Sequence, residues 1–229
     1  MRYTEVRARH AGGGRSRRAG DYVLYWMQAY RRLERNHALD CALRHAEESA
    51  KPLVIYEGLR LDYPWASTRL HRFVLEGMRD ARAAAARLGL AYWPFVETEP
   101  GEGRGLVARL AARAVVVVTD DFPCFVVPGH IEGLARRTDA PIIAVDDNGV
   151  VPLARLHEGS SAVGAAAHLR PRIHREFAEA WEQPARGSTA SSRRRGNSAP
   201  ARSREWLGPR ARRSRRRFPR RISTISTGC

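Results

Sequence analysis

Val115-Val116-Val117-Val118 is the stretch that most restricts what this chain can become. Four β-branched apolar residues in a row show none of the alternation of a half-exposed strand. They suit a strand covered on both faces, which is the environment of an inner strand in a parallel sheet. Thr119-Asp120-Asp121 end the run, and Pro123 precedes a helix-like segment. A buried strand that ends in polar residues before a helix marks the edge where α/β folds bind ligands. Asp120 and Asp121 equally suit a plain structural duty, solvating the strand end and capping the next helix.

Four more strands flank this one, at residues 22–27, 53–57, 90–96 and 141–146, with helical periodicity between them. Asn36 is placed to cap a helix carrying Ala38, Leu39, Ala42, Leu43 and Ala46. Ser67 or Trp65 starts a long helix through Leu88. Its apolar face holds Leu70, Phe73, Val74, Gly77, Met78, Ala81, Ala84 and Ala85, and Gly89 stops it. Helices are also expected over about 106–113, over 123–137 with Val126, Val127, Ile131 and Leu134 inward, and from Ser160 or Ser161 to about Trp181. Pro94 removes a ladder donor from the third strand and sends it to a sheet edge.

Five alternations of strand and helix predict a doubly wound, Rossmann-like α/β domain with a five-stranded parallel sheet in the order 3-2-1-4-5. The ligand crevice would open between the ends of the first and fourth strands. Trp26, Met27, Gln28, Glu57, Asp120, Phe122 and Asn148 are its candidate lining. Aromatic side chains there would stack on a flat conjugated ligand, or serve as a packing surface or ordinary core.

Charge sets the outer limits of that domain. The formal net charge is +16, but it is unevenly placed. Residues 1–20 hold six basic residues and one acid, and residues 184–229 hold fourteen and one. Residues 21–183 are close to neutral, with 20 against 22. The expected organisation is a disordered basic leader over 1–20, a globular domain over 21–183, and a disordered Arg/Ser/Pro-rich tail over 184–229.

Several chemistries are excluded or left unsupported. Gly101, Gly103 and Gly105 follow G-x-G-x-G rather than the dinucleotide fingerprint, and they come after the third strand, so a plain loop is expected. No phosphate-cradling NTPase loop is present. The acids at 120, 121, 146 and 147 resemble a phosphoacceptor pocket, but no carboxylate ends the first strand and no lysine follows the fifth. The eight histidines never fall at zinc-site spacing. Cys41, Cys124 and Cys229 form no paired motif, which fits a reducing cytoplasm. No apolar run approaches the roughly 18 residues of a membrane span.

Asp21-Tyr-Val-Leu-Tyr-Trp-Met27 followed by Asn36-His-Ala-Leu39 resembles the opening of the DNA photolyase family, in the branch akin to class II enzymes. Trp65-Ala-Ser67, Arg69-Leu-His-Arg-Phe73, Val116 through Pro123, Val145 through Pro152 and Arg170-Pro-Arg-Ile173 continue the resemblance over about residues 20–183. It implies an N-terminal α/β domain that carries an antenna chromophore, a deazaflavin or similar, or supports the repair domain. Family members repair cyclobutane pyrimidine dimers in DNA by light-driven electron transfer from reduced FAD. In them FAD belongs to a following helical domain. Residues 184–229 do not read as the start of such a domain.

That departure has two readings. One is a frameshifted or truncated GC-rich gene, which leaves a fragment inactive alone. The other is a non-enzymatic α/β binding module with a basic arm, in which Arg193, Arg194, Arg195, Arg215, Arg216 and Arg217 contact nucleic-acid phosphates without sequence preference.

Overall fold

A computed structural model describes residues 3–14, 19–156 and 165–185. In chain order the elements are α1 (Tyr3–Val6), β1 (Ala8–Gly12), β2 (Tyr22–Met27), α2 (His37–Ser49), β3 (Leu53–Leu59), α3 (Thr68–Leu88) and β4 (Ala91–Val96). They continue with α4 (Leu106–Ala111), β5 (Ala114–Asp120), α5 (Val127–Ala135), β6 (Ile142–Val145), α6 (Leu153–Leu156) and α7 (Ala166–Trp181).

The α/β class is as expected, but the sheet has six strands, not five, in the order β1-β6-β5-β2-β3-β4. The strands read from sequence, β2 to β6, all pair in parallel and keep the relative order expected of them. The added strand, β1, pairs antiparallel with β6. Moving outward from β2 through β3 to β4, right-handed crossovers put α2 and α3 on one face. The return through β5 to β6 puts α4 and α5 on the other. Tyr25, Met27, Ile55, Val116, Val118 and Val145 share one core with α2 and with Ala85 of α3.

β1 corrects the expectation of a disordered leader. The edge of β6 would otherwise offer unpaired backbone groups, and residues 8–12 supply their partners. Arg7 is 3 % exposed and donates to the carbonyls of Asp146 (3.1 Å), Gly149 (3.0 Å) and Val150. Arg9 makes a two-pronged ion pair with Asp121 at 2.6 and 2.8 Å. The glycine run packs closely: a Cβ on Gly13 (φ +73) would stand 2.0 Å from the Ala140 carbonyl oxygen. Arginine and glycine composition read as flexibility, whereas here both residue types serve close contact.

The helix ends follow their sequence signals. Asn36 caps α2 by accepting from the Leu39 N–H at 2.8 Å, and Ser67 caps α3 by accepting from Leu70 at 3.2 Å. Gly89 closes α3 at φ +67, and the Pro94 strand lies at the sheet edge. Two faces differ from expectation. Val126 lies outside α5 and is 50 % exposed, because the helix starts one residue later. On α3, Met78, Ala81 and Ala85 are buried, while Leu70 and Phe73 are 39 % and 74 % exposed. Ser160 and Ser161 lie outside the described residues. Among the described residues no helix is long and apolar enough to cross a membrane.

Candidate functional site

All five parallel strands end at one edge, so the loops after β2, β3, β5 and β6 meet there. Asp120 is the side chain on which that edge closes. It is wholly buried. Its Oδ2 accepts from the backbone N–H groups of Gln28 (2.8 Å), Ala29 (2.6 Å) and Tyr30 (2.9 Å). Its Oδ1 accepts from the Tyr25 hydroxyl at 2.7 Å. Asn36 extends the network by donating to the Tyr25 hydroxyl (2.9 Å) and to the Tyr30 and Arg32 carbonyls. Burial raises the Asp120 carboxyl, opposed by the four donors around it. Burial likewise pushes the Tyr25 phenol well up. The carboxylate holds the turn after β2 and has no lone pair turned to a ligand.

Glu57 is also engaged within the domain. It is 1 % exposed and accepts from Arg31 at 2.7 Å and from the Tyr92 hydroxyl at 2.5 Å. Asn148 closes a turn, donating from its backbone and its amide to Asp146 Oδ1 and from its amide to the Asp121 carbonyl. Asp146 in turn accepts from the Leu153 N–H at 2.6 Å.

The expected crevice lining therefore divides. Trp26 and Met27 are consecutive in a strand and point to opposite faces. Met27 is core beneath α2, 1 % exposed, and cannot line the crevice. Trp26, on the other face, stacks on His130 of α5 with ring centroids 6.2 Å apart. Gln28 links Thr119 to His130: its amide donates to Thr119 Oγ1 at 2.8 Å, and its Oε1 lies 3.1 Å from His130 Nδ1. Phe122 stacks on Phe125 at 6.2 Å. Phe125 is 81 % exposed and has φ +56, a left-handed backbone that bulky residues rarely adopt. The sequence reading missed His130 and Phe125. His130 follows Pro128-Gly129 in an apolar helix, with no spacing to mark it.

The glycine loop is closed as well. Glu97, 3 % exposed, accepts from the Gly103 N–H at 3.0 Å and the Leu61 N–H at 2.9 Å. A carboxylate sits where a phosphate would have to sit, so this loop does not fit the pyrophosphate of FAD or another dinucleotide. Among the described residues no group of three or more His, Cys, Asp or Glu could hold a metal ion.

A cavity of about 750 Å3 opens elsewhere on the molecule, lined by Arg7, Arg32, His37, Asp147, Val150 and Trp181 among others. None of the expected crevice residues lines it. Arg32 pairs with Asp147. Burial pushes the Asp147 carboxyl up to about 6, opposed by Arg32 and Arg7. Burial, with Arg7 and Arg32, brings the His37 imidazole down to about 4.

No protein-family model matches the sequence. Two curated proteins do. A deoxyribodipyrimidine photo-lyase of Methanothermobacter thermautotrophicus is 30% identical over 171 residues, 75% of this chain and 37% of that protein. A second, from Oryza sativa subsp. japonica, is 34% identical over 158 residues, 66% of this chain and 30% of its own length.

The chain carries a photolyase-family α/β domain.

It spans about a third of the length of these photolyases. Solved universal stress proteins from Burkholderia pseudomallei and Archaeoglobus fulgidus align with 55% and 54% of the chain and 96% and 98% of their own. Their identities are 24% and 11% and their TM-scores 0.34 and 0.38, too low to bear on function.

Proposed function

We propose that this chain supplies the antenna or support domain of a deoxyribodipyrimidine photo-lyase and does not repair DNA by itself. In this reading FAD and the light-driven splitting of cyclobutane pyrimidine dimers belong to the part of a photolyase outside the aligned third. The observation that carries it is the 30% identity over 171 residues to the archaeal photo-lyase. The glycine loop closed on Glu97 agrees with it, since that loop then offers no phosphate cradle. The test is photoreversal of thymine dimers by the purified 229-residue chain after incubation with reduced FAD. No repair and no stoichiometric flavin are expected. Repair by the chain alone would overturn the division of labour.

An antenna, where one binds, would be a flat conjugated molecule of the deazaflavin type stacked at Trp26 and Phe122, with Gln28 and His130 as its polar contacts. Its support is the half-buried Trp26 and Phe122 beside the exposed Phe125, whose left-handed backbone is of the kind that gathers at ligand clamps. Reconstitution with a deazaflavin, followed by absorption in the bound fraction, tests it. A Trp26→Ala chain that retains as much chromophore as the parent would remove the site.

A second reading has its own support, the fourteen basic residues against one acid over 184–229. Arg193, Arg194, Arg195, Arg215, Arg216 and Arg217 lie outside the described residues. As an arm they would bind DNA through phosphates, steeply weakened by salt. Removing residues 186–229 should then abolish most of the salt-dependent affinity. Unchanged affinity at two salt concentrations rejects the arm.

A further inference from the structure

The cavity of about 750 Å3 lies apart from the aromatic crevice, and its size falls within the range of small-molecule pockets, about 300–1,000 Å3. Its walls come from distant parts of the chain. The turn entering α2 gives Arg32, Arg35 and His37, the turn after β6 gives Asp147, and the end of α7 gives Trp181. His37 is the first residue of α2, behind the Asn36 cap. A 13-residue helix therefore starts at the cavity wall, and its positive end lies there.

Three side chains on that wall keep donors that the fold does not use. His37 is 8 % exposed. Its Nδ1 has no hydrogen-bond partner among the described residues, and its Nε2 stands 3.9 Å from Asp147 Oδ1, beyond hydrogen-bond reach. A buried imidazole with neither nitrogen satisfied is costly unless something in the cavity completes it. Arg32 is steered by its neighbours: Nε donates to the Arg35 carbonyl at 3.3 Å and Nη2 to Asp147. Its Nη1 is left without a partner among the described residues. The Arg35 side chain is exposed and has no ion-pair or hydrogen-bond partner among the described residues. Of the two acids in the lining, Asp147 is engaged with Arg32 and Glu34 is exposed. Trp181 adds an aromatic wall. It is 65 % exposed and is braced by Phe177, with ring centroids 5.7 Å apart and planes 21° from parallel.

We propose that this cavity binds a nucleoside monophosphate, with its phosphate on Arg32, Arg35 and His37 at the start of α2 and its base stacked on Trp181. A phosphate accepts from several donors at once and gains from guanidinium charge and from the helix dipole together. A base offers a flat face to the bare tryptophan. A small anion alone would leave Trp181 unused, and a neutral ring alone would leave the arginines and the imidazole unmet. The site shares no residue with the edge around Trp26, Phe122 and His130, and it stands independently of the photolyase reading.

The test is equilibrium dialysis of the full 229-residue chain against adenosine 5′-monophosphate, at about 0.15 M salt to screen the basic residues of 184–229. One nucleotide per chain is expected, with adenosine and inorganic phosphate each bound at least about tenfold more weakly. Arg35→Gly removes a guanidinium at φ +49, a backbone that glycine adopts freely, and Trp181→Ala removes an exposed ring. Both variants should therefore unfold at the parent's midpoint. Each should weaken the nucleotide about tenfold or more, the size of one lost charge-assisted hydrogen bond or one lost stacking contact. Arg87→Ala, at an exposed arginine of α3, should leave the affinity unchanged. Binding indifferent to either cavity substitution, binding that falls equally with Arg87→Ala, or phosphate held as tightly as the nucleotide overturns the site. So does the absence of nucleotide binding at millimolar concentration.

Discussion

Asp120→Ala is the substitution that most directly tests how the carboxyl edge is built. The carboxylate accepts four hydrogen bonds in a wholly buried setting, three from consecutive backbone N–H groups and one from Tyr25. Removing it strands four donors. A buried unsatisfied donor costs about 1–3 kcal/mol, and water entering the vacated space recovers part of that, so the low end applies. The expected loss is about 4 kcal/mol, much of the total stability of a typical domain at about 5–15 kcal/mol. Urea unfolding followed by tryptophan fluorescence measures it. Asp121→Ala is the matched control. Asp121 pairs with an Arg9 that is 54% exposed, and such a pair contributes about 0–1 kcal/mol. If Asp120→Ala loses less than about 1 kcal/mol, or no more than Asp121→Ala, the network does not hold the edge together and the reasoning fails.

The pair beside the large cavity predicts a pH effect that is hidden in the parent protein. Asp147, raised to about 6, keeps a proton when folded that the unfolded chain releases from about 3.8 upward, so its contribution to stability falls as pH rises through that window. His37, lowered to about 4, refuses when folded a proton that the unfolded chain holds up to about 6.5, so its contribution rises with pH over nearly the same range. The two offset each other. Asp147→Asn should therefore expose a rise in stability between pH 4 and 6.5 of about 1–2 kcal/mol after allowance for solvent screening. An unfolding midpoint as flat in pH as the parent's would refute it. The glycines of α3 give an opposed pair. Gly77 is mid-helix with open space around its would-be Cβ, so Gly77→Ala should stabilise the fold by about 0.5–1 kcal/mol and raise the thermal midpoint accordingly. Gly89 has the same open space but φ +67, so Gly89→Ala should cost about 1 kcal/mol, and equal signs for the two would show that the cap conformation does not matter.

The buried elements were legible in the sequence because their physics is local. A β-branched run without alternation, as in Val115–Val118, has one cheap environment, and Asn36, Ser67 and Gly89 mark helix ends through bonds made within four residues. β1 was not legible. Its residues pair 130 and more positions away, with Ile142 to Val145, and nothing in Ala-Arg-His-Ala-Gly announces a strand. The burial of Arg7 was hidden for the same reason, since its acceptors are carbonyls at 146, 149 and 150 that only the tertiary fold brings near. The depth at which α3 packs was also out of reach. Periodicity groups Val74, Met78, Ala81 and Ala85 on one face, but it does not show how deeply the sheet buries each of them.

The candidate site residues gather at one edge of the sheet, but several of them are engaged within the domain. Polar residues at the ends of buried strands have two uses that composition cannot separate: to face a ligand or to satisfy the backbone of the turns. A tight turn at a parallel-strand end leaves several N–H groups pointing one way, and a nearby carboxylate answers them at lower cost than ordered water. Asp120, Glu97 and Asp146 each do this for a different turn. With its acids so engaged, the edge keeps few polar groups for small-molecule recognition, and its aromatic side chains are half-buried at Trp26 and Phe122 and exposed at Phe125. An edge of that chemistry suits a stacked conjugated ring or another protein surface far better than it suits a phosphate or a metal.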